Sequence, residues 1–194
     1  MRVGIMGGTF DPIHIGHLLV AEQAREAVGL DQVLFTPAAF PPHKQDKKIT
    51  PVEHRLRMVQ LAIEDHPYFH LSDIELYLPS PSYTVRTLES LRKAEPHAQF
   101  YVIIGADMVN DLPNWYKIER ILEVSQIVGI RRPDIQIEHL PSWIEERVIW
   151  VTDSVELNLS STYIRERLAR GMSIRYLVPD SVYQYIKGYR LYES

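Results

Sequence analysis

Two histidines three residues apart follow a pair of glycines near the start of the chain, in Gly7-Gly8-Thr9-Phe10-Asp11-Pro12-Ile13-His14-Ile15-Gly16-His17. Glycines carry no Cβ, so backbone N–H groups there can come close to phosphate oxygens. His14 and His17 fall on one face at the start of an expected helix, where the positive end of the peptide dipoles favours anions. Two imidazoles in that place can donate to a phosphate, and Gly16 between them would let a bulky ligand approach the backbone. The segment is neither G-x-G-x-x-G nor G-x-x-x-x-G-K-[ST], so neither the dinucleotide fingerprint nor the P-loop accounts for it. Zinc would need a third ligand, and the surroundings offer neither H-E-x-x-H nor a cysteine, so metal ligation by this pair is not expected. A second chemical segment, Ser160-Ser161-Thr162-Tyr163-Ile164-Arg165, opens a late helix with hydroxyls and an arginine one turn on. By itself it reads more readily as an N-cap than as an anion site.

The elements that must position these residues follow from periodicity. Val3 to Met6 is a short apolar run, and Leu18, Ala21, Ala24 and Val28 recur at helical spacing from about Ile15 to Val28, with Gly29 as the stop. Val33 to Thr36 reads as a second strand, which makes the opening one right-handed βαβ unit. Pro37 to Lys48 is polar, proline-rich and basic, as suits an exposed loop. Thr50-Pro51-Val52-Glu53 predicts a capping box with proline at the first helical position, ahead of Leu56, Val59 and Ile63. Ser82 is the expected cap of a helix running to about Ala94. Phe100 to Ile104, bounded by Gly105, has the continuous apolar character of a central parallel strand. Ile127 to Ile130 and Val148 to Val151 are further strands, Pro133 to Glu146 between them is weakly patterned, and two helices start near Ser161 and Asp180. The sum is one domain over residues 1–194: a doubly wound parallel α/β sheet, helices on both faces, and a short C-terminal helical part. Such sheets bind ligands at the carboxyl ends of their strands.

Composition narrows the function. The 194 residues carry 21 Lys+Arg against 25 Asp+Glu, a net charge of −4, so no basic field is present to hold nucleic acid. The absence of cysteine excludes disulfides, thiolate metal sites and cysteine nucleophiles together. The opening apolar run is too short for a signal peptide and no run reaches membrane-spanning length, which makes the cytoplasm the expected compartment, with no membrane partner. The tyrosines of the tail, Tyr176, Tyr183, Tyr185, Tyr189 and Tyr192, are read as core packing, while a homo-oligomer contact stays open.

Gly7 to His17 resembles the signature of the nucleotidyltransferase superfamily that shares an H-x-G-H element with class I aminoacyl-tRNA synthetases. The resemblance implies a Rossmann-like nucleotidyltransferase fold, in which His14 and His17 contact the ATP phosphates and Asp11 and Pro12 shape the turn. It also implies that Gly7, Gly8, Thr9 and Phe10 line the ATP site. Ser160 to Arg165 matches the superfamily's second motif, S-[ST]-T-x-I-R, which implies that Ser160, Ser161, Thr162 and Arg165 hold the β- and γ-phosphates. Three further segments, Pro41-Pro42-His43-Lys44, Ser82-Tyr83-Thr84 and Gly105-Ala106-Asp107-Met108 with Trp115-Tyr116-Lys117, look like those of the bacterial nicotinate mononucleotide adenylyltransferases, and this resemblance spans essentially the whole chain. It implies ATP and nicotinate mononucleotide as substrates, with Mg²⁺ bound mainly through the ATP phosphates. An indole suits stacking on an electron-poor pyridinium ring, so Trp115 is the expected platform. The resemblance assigns the ring's carboxylate to the Thr84 hydroxyl and backbone and to the Tyr116 N–H. Lys44 would neutralise the mononucleotide phosphate, and Asp107, beside Gly105 at the end of a central strand, would accept from a ribose hydroxyl. A phosphopantetheine adenylyltransferase and a non-catalytic nucleotide sensor remain as alternatives.

Overall fold

The structure, a computed structural model, describes residues 1–41, 49–131, 135–136 and 139–193. Six parallel strands form one sheet in the order β3-β2-β1-β4-β5-β6. They are β1 (Arg2–Gly8), β2 (Gln32–Pro37), β3 (Phe69–Leu71), β4 (Gln99–Gly105), β5 (Ser125–Ile130) and β6 (Val148–Val151). The helices are α1 (Ile15–Val28), α2 (Val52–Ile63), α3 (Thr84–Ala94), α4 (Ala106–Asn110), α5 (Ile118–Val124), α6 (Ser142–Glu145), α7 (Ser161–Ala169) and α8 (Asp180–Gly188). The architecture is the doubly wound α/β sheet expected from the sequence.

Strand alternation feeds two cores. Val3, Ile5, Phe100, Val102 and Ile127 face one side, where they pack with Val85, Leu88, Val109, Ile121 and Ile144 of α3 to α6. Met6, Val33, Phe35, Tyr101, Ile103 and Val128 face the other, under Ala21, Met58, Val59, Ile164, Val182 and Ile186 of α1, α2, α7 and α8. Helix α1 therefore leaves β1 toward one face and α4 leaves β4 toward the other. The strands β1 and β4 are neighbours, so a crevice opens between their carboxyl ends, the usual ligand position in this fold class.

Several details differ from the expectations. The edge strand β3 has no counterpart among the expected strands: three residues are too few for a period to register. Pro51 is the residue before α2 rather than its first, and no side chain caps this helix. The Thr50 carbonyl instead accepts from Arg55 Nε at 2.9 Å. Nor does Ser82 cap α3, whose flanking residue is Tyr83; the Ser82 hydroxyl accepts from the Phe40 N–H at 3.1 Å. Gly29 does end α1, with φ 66°. In the tail, Tyr183, Tyr185 and Tyr192 pack against the core, but Tyr176 is 86% exposed and Tyr189 61%. Of the weakly patterned stretch, residues 133–134 and 137–138 lie outside the described residues, and Ser142–Glu145 is the short helix α6.

Candidate active site

The turn leaving β1 is shaped by what its neighbours need. Phe10 takes φ 49° and buries its ring against Phe35. A Cβ on Gly8 would stand 3.1 Å from that ring, whereas around Gly7 nothing would lie within 4 Å of one. Gly8 is thus small for packing, and Gly7 presents an open face. His14, buried and in extended conformation (φ −147°, ψ 170°), precedes α1. Its ring stacks on that of His17, with centroids 3.6 Å apart and planes 22° from parallel. The His14 N–H donates to His17 Nδ1 at 3.2 Å, the part that the third helical residue plays in a capping box. An accepting Nδ1 puts the proton of neutral His17 on Nε2. A Cβ at Gly16 would meet Cε1 and Nδ1 of His14 at 3.1 Å. The His14 imidazole is thus one group that the small Gly16 accommodates.

Main-chain carbonyls of this turn are tied to distant parts of the chain. Ser161 Oγ donates to the Pro12 carbonyl at 2.9 Å, and Arg165 donates to the Asp11 carbonyl at 2.8 Å. The two motifs, some 150 residues apart, are thus in direct contact. Arg165 also donates to Thr162 Oγ1 at 3.2 Å; a guanidinium has five N–H donors, so these two bonds do not exhaust it. Ser160 acts as the cap of α7, accepting from the Tyr163 N–H at 3.2 Å. From below, Arg55 is almost fully buried and donates to the carbonyls of Thr9 (2.8 Å), Ala38 (2.8 Å) and Thr50 (2.9 Å). The Asp11 carboxylate, also buried, accepts from the Tyr192 hydroxyl at 2.7 Å and from the Thr50 N–H at 3.4 Å.

Across the crevice, Gly105 ends β4 and Asp107 is the exposed second residue of α4. Thr84 opens α3. Trp115 is half-buried against the core beneath α3 to α6, and its indole N–H is buried with no hydrogen-bond partner among the described residues. Tyr116 is exposed and packs on Tyr83 at 4.5 Å between centroids. Phe40 and Ser82 exchange two hydrogen bonds, at 3.1 and 3.0 Å, which tie the loop after β2 to the start of α3. Lys44 lies outside the described residues. No group of three or more His, Asp or Glu side chains suited to a metal occurs among the described residues.

Arg55, Glu75 and Tyr192 contact the turn after β1 and the segments beside it, and no motif in the sequence marks them. Arg55 leaves one trace: it stands three and four residues before Met58 and Val59, on the buried face of α2. Glu75 is buried and accepts from Thr87 Oγ1 at 2.9 Å. Burial raises its carboxyl above the ordinary 4.5, against the hydroxyls of Ser82 and Thr87, the Ala39 N–H and the Arg55 guanidinium, all of which favour the ionised form. Burial likewise lowers Arg55, opposed by the charges of Asp11 and Glu75 among others.

The chain matches the model of the family described as cytidylyltransferase-like over residues 5–167. It is 41% identical over 193 residues to the nicotinate-nucleotide adenylyltransferase of Bacillus subtilis, covering 100% of this chain and 99% of that protein. It is 45% identical over 191 residues to a protein of Geobacillus thermodenitrificans named "probable nicotinate-nucleotide adenylyltransferase", covering 98% of this chain and 86% of that protein. Among solved structures, it superposes on the nicotinic acid mononucleotide adenylyltransferase of Plasmodium falciparum complexed with NaAD with a TM-score of 0.79. There the identity is 20% and the coverage 98% and 97%, a likeness of fold.

Helix propensity alone favours Gly16→Ala by about 1 kcal/mol, but the new methyl must displace the His14 ring. Separation of the rings is expected as shifts of both imidazole Cε1–H resonances, and unchanged resonances would contradict the packing argument. For Glu75, a raised folded-state value means that the folded protein binds more protons than the unfolded chain above pH 4.5. Stability should therefore fall as pH rises from there through the folded-state value. Urea midpoints taken across that range should flatten in Glu75→Gln; an unaltered slope would show that another group is responsible.

Proposed function

Because the chain belongs to the cytidylyltransferase-like family and, within it, to the nicotinate-nucleotide adenylyltransferases, we propose that it transfers the adenylyl group of ATP to nicotinate mononucleotide. The products are nicotinate adenine dinucleotide and pyrophosphate, a step of NAD biosynthesis. A phosphate oxygen of the mononucleotide attacks the α-phosphorus, and the bond from that phosphorus to the oxygen bridging to the β-phosphorus breaks. The observation that carries this reading is the hydrogen-bonded junction of Pro12 with Ser161 and of Asp11 with Arg165, which gathers His14, His17 and the start of α7 at one crevice.

The attacking phosphate is already anionic near neutral pH, so no strong general base is needed. The protein's work is then positioning and charge neutralisation. In this reading His17, with its proton on Nε2, and His14 donate to phosphate oxygens. Arg165, Ser161 and Thr162 hold the departing pyrophosphate, with Ser160 contributing as the cap of α7. Gly7, Gly8, Thr9 and Phe10 form the floor under the nucleotide, and Gly105 and Asp107 take the ribose. Mg²⁺ held mainly by triphosphate oxygens and water fits a donor set with no cluster of three His, Asp or Glu among the described residues, and it would add positive charge on the nucleotide.

For the acceptor, Trp115 is the stacking platform, Thr84 and Tyr116 meet the ring's carboxylate, and Lys44 meets the phosphate. The buried, unpartnered Trp115 N–H supports a pocket completed by ligand, since a buried donor without an acceptor is costly. The proposed compartment is the cytoplasm, and no helix among the described residues is long and apolar enough to cross a membrane.

The purified protein with ATP and Mg²⁺ is to be given nicotinate mononucleotide, nicotinamide mononucleotide and phosphopantetheine separately, with pyrophosphate and product mass as readouts. Turnover is expected with the nicotinate substrate first, and His17→Ala should reduce kcat by about 10²–10³. Preference for phosphopantetheine, nucleotide binding without turnover, or full activity of His17→Ala would overturn the assignment.

A further inference from the structure

Tyr192, in the segment after α8, makes a contact that neither the fold nor the proposed chemistry requires of it. The segment after α8 is hooked back onto the body of the protein. Leu191 N–H donates to the Ile186 carbonyl at 3.0 Å and Arg190 N–H to that of Lys187 at 3.2 Å. Arg190 and Tyr192 adopt φ values of 51° and 67°, the left-handed region that non-glycine residues enter at a cost. Leu191 and Tyr192 pack against the core of α1, α2, α7 and α8. The hook brings the Tyr192 hydroxyl to 2.7 Å from Asp11 Oδ1, across 181 residues of sequence.

We propose that Tyr192 is a positioning residue for ATP: its hydroxyl holds the Asp11 carboxylate inside the turn and thereby sets the backbone that carries His14. Asp11 is fixed at both ends, its carbonyl by Arg165 and its side chain by Tyr192 and Thr50. A carboxylate beside a polyphosphate site would repel the ligand if it swung out. Donors on both of its oxygens keep it turned inward and spread its charge. Burial and the Asp11 charge raise the Tyr192 phenol above its ordinary value, so it remains a donor at working pH. This role rests on the function proposed above, because it needs ATP phosphates at the turn.

The test compares wild type, Tyr192→Phe, Asp11→Ala and the double variant, using ATP affinity by calorimetry and steady-state constants for both substrates. Removing one charge-assisted hydrogen bond should weaken ATP about tenfold and leave the KM for the acceptor near wild type. Tyr192→Phe should add nothing in the Asp11→Ala background. An ATP affinity within about twofold of wild type, equal losses for both substrates, or an effect fully additive with Asp11→Ala would overturn the role, whatever happens to Tm. Tyr192→Phe removes a single oxygen and carries the test alone if Asp11→Ala does not fold. Wild type that binds ATP but turns over no acceptor would count against the proposed reaction while leaving the calorimetric comparison decisive.

Discussion

A strand that ends in the middle of a sheet must turn away from its neighbours, and the carbonyls of that turn lose their ladder partners where water has little access. Left unpaired, each would cost about 1–3 kcal/mol. Here the donors come from side chains: Arg55 serves Thr9, Arg165 serves Asp11 and Ser161 serves Pro12. Arg55 also binds Ala38 and Thr50, so a single buried guanidinium joins the turn after β1, the loop after β2 and the approach to α2. A buried cation is expensive unless its donors are satisfied. Three carbonyl acceptors and the nearby charges of Asp11 and Glu75 meet that condition. The site's framework follows from hydrogen-bond satisfaction at the carboxyl end of the central strands.

From that constraint comes the arrangement that can do chemistry. A fixed turn places His14 at the head of α1, its ring packs close over Gly16 and stacks on His17, and its N–H sets the tautomer of His17. Donors that are in place before a ligand arrives need no reorganisation as charge moves in the transition state, which is the main catalytic resource when the nucleophile is already ionised. The same network continues through Ala38, Phe40 and Ser82 to the start of α3, where Thr84 stands. The turn after β1 and the start of α3 are thus parts of one hydrogen-bonded frame.

What the sequence revealed was what local spacing encodes. Alternation in β1 and β4, helical spacing in α1 and the Gly29 stop are set by nearest neighbours along the chain, and they stand where expected. The H-x-G-H turn and Ser160 to Arg165 were legible because each is a contiguous segment with its own chemistry. Arg55, Glu75 and Tyr192 were not, because each gains its meaning from partners far away in sequence. Arg55 on a helix reads as a solvated charge until Thr9 and Ala38 stand beside it. The capping pattern at Ser82 misled for the same reason: the Phe40 N–H, 42 residues away, claims its hydroxyl. Gly16 stands out in the sequence as unusual, and the His14 ring packed beside it is visible only in three dimensions.

The turn after β1 is held by hydrogen bonds from Arg55, Arg165 and Ser161, and is expected to be preformed. Amide hydrogen exchange at His14, Ile15 and His17, whose N–H groups donate to His17 Nδ1, the Leu177 carbonyl and the His14 carbonyl, tests this most directly. The three amides should exchange as slowly as those of β1 and β4 in the protein without nucleotide, with little further slowing when ATP is added. Fast exchange in the free protein, with protection appearing only on ATP binding, would mean that the ligand builds the site and that the turn is not preformed.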